Sequence, residues 1–246
     1  MRRAIVTGGA GFIGSNLVDK LIEKGVEVII LDDLSTGKVE NINTEATDFL
    51  RIDISDMKPD STLYKIVLDK ARGVDYIFHT AAKARVQPSI EDPVSFNKAN
   101  VDGTLNMLCL AKDLKIKRFI YSASSSAYGE AKRFPTPEDH PTNPLSPYGL
   151  QKYIGEQYCK VFSEVYGIDT VSLRYFNVYG ERMLLEGAYC LVLGIFAKQL
   201  LEGNPMTINN TGEQKRDFTY VGDVVDANIL AANNHDNFNG DVFNIG

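Results

Sequence analysis

Tyr148 and Lys152 stand four residues apart in Tyr148-Gly149-Leu150-Gln151-Lys152, a spacing that puts a phenol and an ammonium on one helix face. A phenol is a weak base at its usual pKa near ~10, and a fixed cation within several ångströms lowers that value. The pair therefore reads as a base that can take a hydroxyl proton near neutral pH, with the ammonium also able to hold a ribose. Upstream lies Tyr121-Ser-Ala-Ser-Ser-Ser-Ala-Tyr-Gly129. Its hydroxyls could share the substrate proton and bind a developing oxyanion, although small-residue turns also bond their hydroxyls to backbone.

A Tyr-x-x-x-Lys spacing is common on amphipathic helices, so its meaning depends on the company it keeps. The chain opens with an apolar strand pattern, Ala4-Ile5-Val6, followed by Thr7-Gly-Gly-Ala-Gly-Phe-Ile-Gly14 and then apolar residues at helical spacing: Phe12, Ile13, Leu17, Leu21 and Ile22. Glycines at a strand-to-helix turn let backbone approach a ligand closely, and the free N–H groups of the helix start then face an anion, ideally a pyrophosphate. Two spacings satisfy the pattern at once, Gly9/Gly11/Gly14 and Gly8/Gly11/Gly14. A second apolar run, Glu27-Val28-Ile29-Ile30-Leu31, ends in Asp32. A carboxylate there accepts hydrogen bonds from an adenosine ribose and repels a 2′-phosphate, which selects NAD over NADP.

The elements that must carry these residues alternate. Apolar strand patterns fall at 3–7, 27–32, 48–53, 74–80, 117–123, 170–176 and 242–245, and helical patterns at 12–24, 60–72, 94–114, 147–166, 188–202 and 223–233. Such alternation predicts parallel strands joined by right-handed helical crossovers, hence an α/β doubly wound sheet. The stretch 130–147 holds five prolines and reads as loop, with Ser146 the N-cap and Pro147 the first turn of a long helix. The segment 205–218 reads as loop with one candidate strand at Met206–Ile208.

The bulk of the chain narrows the classes. Its 246 residues suit one large domain or a domain with a small lobe. A net charge of −6 argues against nucleic acid or an anionic membrane as partner. Cys109, Cys159 and Cys190 are too scattered for a disulfide framework, and His79, His140 and His235 show no metal-ligand spacing. No apolar stretch approaches the ~20 residues of a membrane span, and Arg2-Arg3 is not followed by a signal-peptide core. A cytoplasmic protein is expected.

Together these motifs resemble the NAD-dependent epimerase/dehydratase family (the extended short-chain dehydrogenase/reductases), and within it the UDP-sugar 4-epimerases. Besides the glycine run and Tyr148-x-x-x-Lys152, the resemblance rests on Leu31-Asp-Asp-Leu-Ser-Thr-Gly37, His79-Thr-Ala-Ala82, Asn100-Val-Asp-Gly-Thr104, Leu173-Arg-Tyr-Phe-Asn-Val-Tyr-Gly180 and Arg216-Asp-Phe218. It implies a Rossmann domain over 1–178 and 217–246, with 179–216 forming part of a substrate lobe whose C-terminal remainder is absent from the sequence. It implies NAD cradled by Gly8, Gly11, Phe12, Ile13 and Gly14, its adenosine ribose on Asp32 and Ser35, and its adenine beside Asp53 and Ile54. Ala81, Ala82, Asn100 and the backbone near Tyr175 would line the rest of the cofactor, together with Tyr148 and Lys152. The catalytic set would be Tyr148, Lys152 and Ser124. Asn177 and Arg216 would bind the UDP-sugar, with Arg85, Ser126, Tyr179 and Arg182 as further contacts, and a homodimer would form through the helices near 94–114 and 147–166.

Two positions bear on the reaction. Ser125-Ser126 stand where the resembling 4,6-dehydratases carry Asp-Glu and UDP-glucuronate decarboxylases carry Glu. The resemblance therefore implies inversion at C4 of a UDP-hexose through a 4-keto sugar. Gly187-Ala188-Tyr189 and the triple serine resemble UDP-N-acetylhexosamine 4-epimerases, whereas Leu34-Ser-Thr-Gly37 is shared with UDP-glucose 4-epimerases. The other class to weigh is a non-catalytic NAD-binding sensor on the same fold.

Overall fold

Apolar runs buried on both faces pair side by side. The computed structural model describes residues 1–185, 190–208 and 211–246. Among these, seven strands form one parallel sheet: β1 (Arg3–Thr7), β2 (Glu27–Asp32), β3 (Thr47–Arg51), β4 (Tyr76–His79), β5 (Arg118–Ser124), β6 (Thr170–Tyr175) and β9 (Asp241–Ile245), in the order β3-β2-β1-β4-β5-β6-β9. All six pairings are parallel. The strand order reverses between β1 and β4, and a ligand crevice belongs at the carboxyl ends beside that switch.

Each face of the sheet has its own core. One packs Val6, Ile30, Phe78, Ile120 and Leu173 against α1 (Phe12–Glu23) and α8 (Val221–Asn233). The other packs Ile5, Ile29, Ile77, Phe119 and Tyr121 against α2 (Thr62–Lys70), α5 (Gly103–Leu114) and α6 (Pro147–Tyr166). The near-continuous apolar strands are what a sheet covered on both sides requires.

Four features depart from the sequence-level expectation. The helix expected over 94–114 is interrupted. Asp92 caps α4 (Pro93–Asn97) by accepting from Ser95 N, and a π-helical stretch over Lys98–Asp102 precedes α5. A short helix, α3 (Val86–Glu91), lies before it. The candidate strand at Met206–Ile208 does not form; those residues are exposed and no described strand lies beside them to pair with. Instead β7 (Asn177–Tyr179) pairs with β8 (Phe218–Tyr220) in a separate parallel pair. Residues 187–189, one basis for the sugar comparison, fall outside the described residues. Among the described residues no helix is long and apolar enough to cross a membrane. Between β7 and β8 lies α7 (Val192–Leu201).

Candidate active site

The strand ends, the α1 start and the α6 start meet around a cleft of about 1180 Å³. At its floor the glycine turn is fixed by contact distances. Gly8 has φ of +66°, and a Cβ on Gly14 would lie 2.1 Å from the Gly8 carbonyl oxygen. This selects Gly8/Gly11/Gly14 as the working spacing. Helix α1 starts at Phe12 with Gly11 as an N-cap that offers no side chain, so its first N–H groups are available to an anion. Gly8, Gly11, Phe12, Ile13 and Gly14 all line the cleft.

At the end of β2 the Asp32 carboxylate accepts from Ala10 N (2.9 Å) and Leu34 N (2.8 Å). Burial pushes its pKa up while those two backbone donors pull it down. Asp32 therefore ties the glycine turn to the β2 loop, a role the sequence did not suggest, and still has lone pairs for a hydroxyl. Ser35, Asp53, Ile54, Ala81, Ala82 and Tyr175 line the same cleft. The Ser35 hydroxyl donates to Asp33 (2.6 Å), and Asp53 caps the next turn by accepting from Ser55 N.

The sequence placed Asn100 on the cofactor, but the structure turns it inward. Its amide closes a ring with Lys83, accepting from Lys83 N (2.8 Å) and donating to Lys83 O (2.9 Å), and it also donates to Gln151 (3.1 Å). Buried at 1% exposure, it shapes the loop after β4 and does not line the cleft.

Helix α6 begins as its sequence dictates. Ser146 Oγ accepts from Gly149 N at 3.1 Å and Pro147 occupies the first turn. Tyr148 N donates to Ser89 Oγ of α3 (3.1 Å), which docks that unexpected helix on the α6 start. The Tyr148 side chain lines the cleft beside Ser124, Ser126 and Arg85. Ser124 Oγ accepts from Ser126 N (3.2 Å) as the cap of a 3-10 turn, which leaves its proton for the Tyr148 oxygen. Burial pushes the Tyr148 pKa up; the Ser124 hydroxyl and then the Arg85 charge pull it down without reversing the shift.

Lys152 does not reach the cleft lining beside the phenol, as its four-residue spacing suggested it would. Its ammonium, 4% exposed, donates to the Ser122 carbonyl at 2.8 Å and lies 5.0 Å from the Tyr121 ring centre, behind the cleft wall. Gly155 makes this depth possible, because a Cβ there would sit 2.2 Å from the Tyr121 hydroxyl. The Arg85 charge does pull the Tyr148 pKa down, and its backbone has φ of +95° ahead of α3. Sequence reading had Arg85 only as a sugar contact.

Asn177 lines the cleft and donates to the Asp217 carbonyl (2.8 Å) across β7 and β8. Arg216 is not brought to the cleft. It is exposed, and its guanidinium donates to the Lys215 carbonyl at 2.7 Å. Arg182 lines the cleft and pairs with Asp19 of α1 (2.6 Å), whereas Tyr179 does not line it. Lys98 and Lys198 line the cleft as well. Nothing in their local sequence marks either one, because only the fold brings their helices to it.

A cleft with a side-chain-free helix start at one end and a buried carboxylate on the neighbouring strand fits a dinucleotide. Comparison with known proteins agrees. A curated relative from Methanocaldococcus jannaschii, described as a putative UDP-glucose 4-epimerase, is 44% identical over 98% of this chain and 76% of its own length. The solved UDP-glucose 4-epimerase of Thermotoga maritima with UDP-glucose is 43% identical, with a TM-score of 0.92 over 99% of this chain and 76% of that one. The UDP-N-acetylglucosamine 4-epimerase of Methanobrevibacter ruminantium M1, solved in complex with UDP-N-acetylmuramic acid, is 40% identical with a TM-score of 0.91, over 100% and 76%. Residues 4–246 match the family described as NAD dependent epimerase/dehydratase, so the chain belongs to that family and the dinucleotide for which its cleft is built is NAD.

Proposed function

We propose that this protein is a UDP-sugar 4-epimerase, inverting C4 of a UDP-hexose through a 4-keto sugar. The observation that carries the choice is the surroundings of Tyr148: its partners are Ser124 and Arg85, and no carboxylate acts on it among the described residues. Elimination of water or loss of a carboxyl group would call for an acid or base beyond the phenol. Ser125 and Ser126 supply none, and both line the cleft. An oxidation and re-reduction at one carbon needs only a single proton acceptor that later returns what it took.

NAD, when bound, supplies reversible hydride transfer. Gly8, Gly11, Phe12, Ile13 and Gly14 would hold its pyrophosphate and Asp32 and Ser35 its ribose, with Asp53, Ile54, Ala81, Ala82 and Tyr175 lining the rest. Tyr148 takes the O4 proton of the sugar, and the Ser124 hydroxyl donates to the phenolate so formed. Lys152 holds positive charge beneath both. After the keto sugar turns over in the cleft, Tyr148 returns the proton to O4 on the opposite face. Asn177, Arg85 and Ser126, which line the cleft, would hold the sugar nucleotide. Arg216 would join them only if the exposed stretch before β8 folds over the cleft. In this reading residues 1–178 and 217–246 hold the dinucleotide and 179–216 belong to the substrate lobe, with Leu191, Lys198 and Leu201 of that lobe facing the cleft.

The test is to incubate the purified protein with UDP-glucose, UDP-N-acetylglucosamine and UDP-glucuronate and resolve the products. The C4 epimer of one or more of them is expected. A dehydrated or decarboxylated product would overturn the reading, and tightly bound NAD with no conversion of any sugar would favour a sensor.

A further inference from the structure

Tyr148, Lys152 and Glu156 recur every fourth residue along α6 and so share a face. Glu156 is only 1% exposed. Both its oxygens are taken by Arg174 of β6, Nε donating to Oε1 at 2.9 Å and Nη2 to Oε2 at 2.6 Å. The guanidinium in turn lies 4.5 Å from the centre of the Tyr128 ring, in the turn that follows Ser124. Burying such a pair costs desolvation that its attraction seldom exceeds, so its presence is weak evidence for stability. Its position points to another purpose.

Lys152 must carry its charge in a setting that opposes it. Among the described residues one hydrogen bond holds the ammonium, to the Ser122 carbonyl. Around it stand the Tyr121 ring of β5, the His79 imidazole of β4, which burial keeps neutral, and the Cys159 thiol of its own helix. Tyr148 lies one turn before it, and Arg85 from the loop ahead of α3 acts on Tyr148 instead. Lys98 of the π-helical stretch is turned to Asp56 and Asp53. Arg174 of β6 and Tyr128 face Glu156. Glu156 is thus the carboxylate that acts on Lys152, and Arg174 is what keeps that carboxylate ionised.

We propose that Glu156 is a positioning residue for Lys152: fixed from two sides by Arg174, it supplies the buried negative charge that keeps the ammonium protonated and held beneath the cleft. The proposal rests on the reading above in which Lys152 holds positive charge beneath the cleft that binds NAD. Burial holds the Lys152 pKa down to about 8, and the Glu156 charge opposes that pull by raising it. Loss of the carboxylate therefore moves loss of the lysine charge toward neutral pH.

The experiment is the NAD dissociation constant by calorimetry from pH 6.5 to 9.5, for wild type, Glu156→Gln, Glu156→Asp and the double variant Glu156→Gln/Arg174→Gln, with thermal melts alongside. Wild type is expected to weaken about twofold by pH 8. Glu156→Gln and the double variant should weaken about tenfold by pH 8 relative to their own values at pH 6.5, as a downward shift of about one unit gives. Glu156→Asp should follow wild type. The double variant also removes the guanidinium that Glu156→Gln alone would strand, so it carries the test if Glu156→Gln alone does not fold. Folded variants that follow the wild-type pH curve, however much weaker at every pH, would overturn the proposal and leave a structural pair. A wild-type protein that binds no NAD would overturn both this and the reading of the cleft.

Discussion

Burial and hydrogen bonding pull the Tyr148 phenol in opposite directions, and burial wins. In the proposed reading, its readiness as a base depends on what Ser124, Arg85 and a bound dinucleotide add together. The spacing of Tyr148 and Lys152 identified the right residues but not their geometry, because four-residue spacing fixes a shared helix face and not the depth of a long side chain. His79 shows the same limit. The sequence saw it as a histidine without ligand spacing, and the structure makes it a buried brace between Thr7 (Nδ1, 2.8 Å) and Thr104 (Nε2, 2.9 Å). Since Thr104 donates to Asn100 O (2.6 Å), Nε2 carries the proton and Nδ1 accepts from Thr7. Burial lowers the His79 pKa to about 3. A lowered value means the unfolded chain binds the extra proton first. The stabilisation from neutral His79 is thus complete above pH ~6.5 and lost as pH falls toward the folded value. Chemical denaturation between pH 4 and 8 should show wild-type stability falling with acid by up to ~1.4 kcal/mol per unit more than in His79→Gln. Equal slopes would contradict the assignment.

At the scale of the element, α6 does most to assemble the site. Its start, capped by Ser146, positions Tyr148; its middle, brought close to β5 by Gly155, lets Lys152 reach Ser122. Gly155→Ala would force a methyl into the Tyr121 hydroxyl. A loss of about 1–3 kcal/mol is expected on unfolding, together with weaker NAD binding as Lys152 is displaced. A variant with wild-type stability and affinity would show that the helix can shift without consequence. The bounds of this helix, 147–166, were legible in the sequence because Ser-Pro at one end and Gly167 at the other are strong local signals. The strands of the main sheet were legible for a similar reason, through long apolar runs buried on both sides. Neither β7 nor β8 was, since three residues carry too little periodicity and their pairing joins segments forty residues apart. The break in the 94–114 helix was hidden too: Asn100 within it bonds to Lys83, a contact that no local pattern contains.

For the whole molecule, the sheet order decides where chemistry can occur, and the reversal between β1 and β4 gathers residues from across the chain. Of the positions expected at the site, those on strand ends and on the α1 start came together, while Arg216 did not, because it lies on an exposed stretch with no element to aim it. The molecule's outer face carries a further expectation. Leu150, Val161 and Val165 are exposed along one side of α6, and Val94 is exposed on α4. Such an apolar stripe suits the proposed homodimer through these helices. Sedimentation should find a dimer for the wild type and a monomer for Val161→Glu/Val165→Glu; a wild-type monomer, or a double variant that stays dimeric, would remove these helices from the interface.

The central claim is that the Tyr148 oxygen moves the proton of the sugar hydroxyl while the rest of the cleft holds NAD. Tyr148→Phe removes that oxygen and little else, so turnover of a UDP-sugar and calorimetric NAD affinity should be measured on the same preparation. A fall in turnover of at least ~10² is expected, with NAD affinity within a few-fold of wild type. Undiminished interconversion of the sugar by Tyr148→Phe would contradict it.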